Sequence, residues 1–214
     1  MGNVLLEYIW LDGYNTSNLR SKVKVLKHSD IAGSFGKCPD VRSLPEWNFD
    51  GSSTAQAPGN NSECLLKPAR VYQWPGTHDH FFVMCEVYNS DGSPHSSNTR
   101  APLRDLSNDF TSNCFWWGFE QEYFVTNNFT PLGFPPGGFP KPQGLYYCGV
   151  GGNQVVARKL VEKHLRTCLE MGIELTGTNA EVAIGQWEYQ CFSEDTLKAC
   201  DDLWVSRYVL YRLA

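Results

Sequence analysis

No run of about 18 apolar residues occurs anywhere in the sequence, so no segment reads as a membrane-spanning helix. The first residues lack a basic stretch followed by an apolar one, which argues against a secretory signal. Met1-Gly2 opens like a myristoylation site, but Leu6 stands where Ser or Thr is needed, so that reading fails. Basic charge is also scarce: 18 Lys and Arg against 23 Asp and Glu give a net charge of −5, which argues against a nucleic-acid or anionic-membrane surface. The eight cysteines include no CxxC pair, so reduced thiols in a cytoplasmic protein are expected rather than a disulfide framework. Without a secretory route, the Asn-X-Ser/Thr triplets at Asn15, Asn60 and Asn128 are chance matches. Repeats and low-complexity tracts are absent too.

What is present is a globular composition. The 214 residues are 42% hydrophobic and 14% aromatic, enough for one large or two small domains with a real core. Val4–Trp10 and Arg20–Leu26 read as a strand pair around a turn at Asp12-Gly13. A Gly- and Pro-bearing loop through Gly33, Gly36 and Pro39 follows. Next come the aromatic segment Trp47-Asn48-Phe49-Asp50, a polar irregular stretch to Pro68, and a strand over Phe81–Tyr88. Residues 1–92 are therefore expected to form a small sheet-rich domain. Residues 103–214 change character, with a Pro- and Gly-rich loop over Pro131–Gly144. A helix carrying Val161, Leu165, Cys168 and Leu169 is stopped by Gly172, and a last helix covers Leu203–Leu213 behind Asp201 and Asp202. His164 borders the apolar stripe of the first of these and reads as a packed or partly exposed helix histidine rather than a ligand.

The chemistry concentrates in two acidic motifs. Trp116–Val125 is rich in aromatic residues and free of proline, and reads as a buried strand. Alternation then puts Glu120 and Glu122 on one side, with Trp116 and Phe124. Two such carboxylates repel each other unless a cation joins them, and Mg²⁺ or Mn²⁺ suits oxygen donors; from this stretch alone an edge strand with two solvated glutamates reads equally well. The second motif, Asn179–Gln190, carries Glu181 and Glu188. Seven residues apart, they would face opposite ways on one regular strand, but Gly185 offers a turn or bulge that re-aims them. Four carboxylates in strand-forming surroundings make a divalent-metal site the leading reading.

These motifs, taken with Glu7-Tyr8-Ile9-Trp10, Leu19-Arg20-Ser21-Lys22, Trp47–Thr54, Asn98 with Arg100, and Gln143–Gly151, resemble glutamine synthetase of the eukaryotic type over nearly the whole chain. The resemblance implies an α+β architecture: an amino-terminal β-grasp domain and an incomplete catalytic domain of antiparallel strands with helices. It implies ATP-dependent joining of glutamate and ammonia through γ-glutamyl phosphate, with Mg²⁺ or Mn²⁺ as cofactor. By motif, Glu122, Glu181 and Glu188 hold one ion, and Glu120 holds a second that faces the ATP phosphates. Trp116 lies near the adenine, and Glu188, Tyr189 and Gln190 open the nucleotide-contacting segment. Asp50 and Ser53 match a loop that reaches into a neighbouring subunit's site, where the aspartate helps bind and deprotonate ammonium, so a ring-shaped homo-oligomer is expected of a full-length form. The family's histidine-bearing Asn-Gly-Ala-Gly motif and later arginines have no counterpart here, and Cys191-Phe192-Ser193 replaces an expected Gly-Pro. The chain thus reads as shortened on the carboxy-terminal side. The alternatives are a catalytically inactive metal-binding or structural protein on the same fold, or a fragment of a longer enzyme.

Overall fold

The computed structural model describes residues 2–31, 38–109, 115–137 and 143–214. Gly33, Gly36 and part of the Pro131–Gly144 loop therefore lie outside the described residues. The chain divides into two compact units, Met1–Asn113 and Cys114–Ala214. Both combine sheet and helix, giving an α+β fold. Among the described residues, no helix is long and apolar enough to cross a membrane.

The first unit is a five-stranded sheet of β1 (Asn3–Leu11), β2 (Leu19–Lys27), β3 (Trp47–Asp50), β4 (Glu63–Gln73) and β5 (His80–Asn89), in the order β2-β1-β5-β4-β3. β1 and β5 run parallel at the centre and every other pairing is antiparallel. Alternation along the strands sends Val4, Leu6, Tyr8 and Trp10 of β1 and Phe81, Val83, Cys85 and Val87 of β5 into one core with Cys64 and Leu66 of β4. Glu86 of β5 is buried, and its charge is met by Arg100 (2.7 Å) and Arg104 of helix α1 (Arg100–Asp109). Strand β4 corrects the expectation of an irregular stretch up to Pro68. The sheet tolerates that proline because the β4–β5 register shifts between Pro68 and Arg70.

The second unit is built on a three-stranded antiparallel sheet in the order β6-β10-β9, beside a two-stranded ribbon of β7 (Thr126–Asn127) and β8 (Thr130–Pro131). β6 is Trp117–Phe124, β9 Leu175–Ala180 and β10 Gln186–Ser193. One sheet face carries Trp187, Tyr189 and Tyr123 against helices α2 (Arg158–Glu170) and α3 (Thr196–Leu213). α2 buries Val161, His164 and Cys168, spaced so as to share one side of the helix. The His164 ring lies 5.0 Å from that of Tyr189, and its Nε2 donates to the Ser206 carbonyl at 2.9 Å. Burial lowers the His164 pKa, so it packs as a neutral side chain. α3 starts seven residues earlier than expected, at Thr196, because the Asp195 carboxylate accepts from Lys198 N at 2.8 Å and caps it. Asp201 and Asp202 are consequently buried within the helix, not at its start, and Asp202 pairs with Lys198 and accepts from Glu174 N at 3.1 Å.

Candidate metal centre

β6 is less buried than its aromatic content suggests: the face that carries Glu120 and Glu122 is open, with Trp116 70% and Phe124 44% exposed. The antiparallel register sets Glu188 of β10 opposite Glu122 of β6 and opposite Asn179 of β9. Glu181 immediately follows β9, in the turn that leads to β10. Gly185 closes this turn at φ +81°, a backbone conformation that side chains disfavour. The turn reverses the chain, so Glu181 and Glu188 come to the same side instead of alternating away from each other.

One carboxylate oxygen from each of Glu122, Glu181 and Glu188 lies within 4.8 Å of the other two. Opposite ligands in an octahedral Mg²⁺ shell sit roughly 4.2 Å apart, so these oxygens can share one ion with small side-chain adjustments. Glu181 and Glu188 are buried at 8% and 7% exposure, and Glu122 is exposed. Burial raises the Glu181 pKa, and the adjoining Glu188 carboxyl raises it further; a hydrogen bond from Val182 N opposes them, and the Glu122 charge adds to the rise. Three carboxylate oxygens within reach of one another are the hard donors that such ions prefer. The donor set therefore fits Mg²⁺ or Mn²⁺.

Each of the three carboxylates accepts from a side-chain amide. Gln186 Nε2 donates to Glu122 Oε2 at 2.6 Å, Asn179 Nδ2 to Glu181 Oε1 at 3.1 Å, and Gln190 Nε2 to Glu188 Oε1 at 2.5 Å. Gln186 and Asn179 lie in the second acidic motif, yet sequence reasoning gave them no role. The signal was their spacing: on a strand they fall two residues from an acid on the same face. Tyr147 also went unnoticed. Its hydroxyl pKa is raised chiefly by the neighbouring Cys148, with smaller contributions from Glu181 and Glu188.

The other expected site residues are distributed as follows. Glu120 sits two residues along the same face of β6, opposite Gln190, outside the group of three. Trp116 makes an edge-on contact with Phe192, centroids 5.8 Å apart, at the end of the row where Gly118 leaves the surface bare. Gln190 points toward the acids, whereas Tyr189 does not. Tyr189 is 1% exposed on the opposite face, its hydroxyl 2.8 Å from Ser206 Oγ, so its side chain is unable to touch a nucleotide on the acid face. Asp50 and Ser53 belong to the first unit: Asp50 is the exposed last residue of β3, and Ser53 is exposed in the single 3-10 turn Gly51–Thr54 that follows. There Asp50 accepts from Ser52 N (2.9 Å) and Ser52 Oγ (2.6 Å), which lowers its pKa and keeps it charged.

No family model matches the chain. Whole-sequence comparison, by contrast, finds close relatives. Glutamine synthetase of Bradyrhizobium diazoefficiens is 49% identical over 97% of this chain, which spans 58% of that protein. Glutamine synthetase of Streptomyces viridochromogenes is 47% identical, with 97% of this chain and 59% of the relative covered. The Yarrowia lipolytica enzyme is 46% identical over 100% of this chain and 56% of its own length. The chain thus spans somewhat more than half the length of the curated relatives it matches. A solved GmaS/ADP complex superposes with a TM-score of 0.67 at 14% identity, over 97% of this chain and 46% of the other, and so supports the fold alone. Nearly half the residues along almost its whole length are thus shared with these glutamine synthetases, the proteins to which this chain is similar.

Proposed function

We propose that the chain carries glutamine synthetase chemistry, the ATP-dependent joining of glutamate and ammonia through γ-glutamyl phosphate. The observation that carries this reading is the convergence of Glu122, Glu181 and Glu188 from three separate points of the sequence. In it, these three hold one Mg²⁺ or Mn²⁺, and Glu120 contributes to a second ion beside the ATP phosphates. Such ions would offset phosphate charge and stabilise the transferring phosphoryl group. The spacing of the chain's own residues supports this reading. Four strand positions separate Trp116 from Glu120, roughly 13 Å, so an adenine on the exposed indole leaves room for a triphosphate to reach the acids. Asp50, kept ionised by Ser52, is suited to attract ammonium, and the resemblance implies that it also favours ammonium's deprotonation in a site shared between subunits of a ring.

The second reading is a metal-binding protein without turnover. It is favoured by Tyr189, an expected nucleotide contact whose side chain is buried on the face away from the acids. Calorimetric titration with MnCl₂ tests the metal centre common to both. The unaltered chain is expected to bind, and Glu122→Ala and Glu188→Ala to bind less tightly by at least the roughly 10- to 100-fold typical of changes around a metal site. Equal affinity in all three proteins would sink the site. Assay of γ-glutamyl hydroxamate formation, with the part of the Bradyrhizobium relative outside the match supplied, then separates the two readings: turnover that depends on Glu122 supports the first, and none supports the second.

A further inference from the structure

We infer that Asn179, Gln186 and Gln190 are the positioning residues of the metal centre, and that Gln190 governs two of its three carboxylates. The inference rests on the metal reading above and concerns how the ligands are held.

The orientations of Gln186 and Asn179 are each fixed by the other end of the amide. Gln186 Oε1 accepts from Ala183 N in the β9–β10 turn (3.3 Å), which leaves Gln186 Nε2 to donate to Glu122 Oε2. Gln190 Nε2 divides between Glu188 Oε1 and Asn179 Oδ1 (3.0 Å). Asn179 Oδ1 is thereby occupied as an acceptor, and Asn179 Nδ2 is directed to Glu181 Oε1. Gln190 thus acts on Glu188 directly and on Glu181 through Asn179, while Gln186 serves Glu122 alone. Neutral donors suit this task. They fix one oxygen of each carboxylate without adding positive charge that would compete with a cation, and a fixed ligand loses less freedom when it binds.

Gly177 makes room for this arrangement. It lies opposite Gln190 on β9, and a Cβ there would come within 2.5 Å of Gln190 Oε1. No other side chain or backbone atom is crowded, save Gln190 Cδ at 3.7 Å. Adding a methyl group at position 177 would therefore displace the tip of one flexible side chain and little else. Gly177→Ala is a probe that changes no polar atom of the site.

The test is MnCl₂ calorimetry with the 214-residue chain, backed by metal-free thermal melts and the electron paramagnetic resonance spectrum of bound Mn²⁺. Gln186→Met, Gln190→Met and Gly177→Ala are each expected to weaken Mn²⁺ binding about 10- to 100-fold. Gly177→Ala is expected to do so with its metal-free melting temperature within about 2 °C of the unaltered chain. Asn179→Leu combined with Gln190→Met is expected to lose less than the product of the two single losses, because they share one path to Glu181. Gln186→Met combined with Gln190→Met is expected to lose the full product. The spectrum of bound Mn²⁺ should change in Gly177→Ala, which a merely structural role for Gln190 would leave untouched. Wild-type affinity in Gly177→Ala and Gln190→Met, with binding still lost in Glu188→Ala, would overturn the inference but leave the metal centre standing. Absence of Mn²⁺ binding in the unaltered chain would overturn both.

Discussion

At the scale of single residues, the site is decided by which way each side chain leaves its strand. Glu120 and Glu122 share a face because they are two apart, and this was legible in the sequence. The same rule separates Tyr189 from Gln190: adjacent strand residues face opposite ways, so both side chains could not contact one nucleotide. The burial of Glu181 was not legible, because it depends on a turn that sequence alone left open. That burial, with Glu188 beside it, raises the Glu181 pKa from its ordinary value. The folded, metal-free chain therefore takes up a proton at Glu181 more readily than the unfolded chain does. The resulting contribution to stability is present below the unfolded pKa and is lost as pH rises through the raised folded value. A cation competes with this proton, so Mn²⁺ affinity is expected to increase between about pH 5 and pH 7.5. Over the same window, the metal-free melting temperature should fall in the unaltered chain relative to Glu181→Gln. Calorimetry and melts at the two pH values check this, and pH-independent affinity would contradict it.

At the scale of elements, the β9–β10 hairpin makes the centre possible, and Gly185 makes the hairpin possible. The Gly185 carbonyl accepts from Val125 N at 3.0 Å, which ties the turn to the chain just beyond β6. A Cβ at this position would meet the Leu132 carbonyl oxygen at 2.5 Å, and φ is +81°. Both steric contact and backbone strain therefore oppose a side chain. Gly185→Ala is expected to destabilise the protein by about 1–3 kcal/mol, measured by urea unfolding. It should also weaken Mn²⁺ binding, because Glu181 and Glu188 flank the turn. Unchanged stability would show that the turn relaxes without cost. The glycine announced this turn in the sequence, and the strand pair β1–β2 was legible too, from the apolar run Val4–Trp10 and the alternation around Val23 and Val25. β4 was hidden by Pro68, since a proline argues against a strand unless a bulge accommodates it. The early start of α3 was hidden because the acids at 201 and 202 resembled a helix start, whereas Asp195 supplies the cap.

At the scale of the whole molecule, the question is whether a metal centre is enough for turnover. Among the described residues, one group of three acidic ligands comes together, and it lies wholly within the second unit. Forming γ-glutamyl phosphate also requires the γ-phosphate, the glutamate carboxylate and a second ion held in line. Misplacement by about 1 Å can lower the rate on the order of a hundredfold. Removing one charge-stabilising donor lowers it by roughly 10² to 10³, and groups serving one transition state do not contribute independently. The family's histidine and arginine motifs have no counterpart in these 214 residues, and the match covers 56–59% of the relatives described above. The polypeptide of residues 1–214, produced by itself, is therefore expected to form negligible γ-glutamyl hydroxamate from ATP, glutamate, hydroxylamine and Mg²⁺. Supplying the part of the Bradyrhizobium relative outside the match should restore turnover, and Glu122→Ala should abolish the restored activity. Robust turnover by the 214 residues alone would mean that other groups of this chain replace the missing histidine and arginines. Restored turnover that survives Glu122→Ala would mean that the chemistry resides elsewhere than on the three carboxylates.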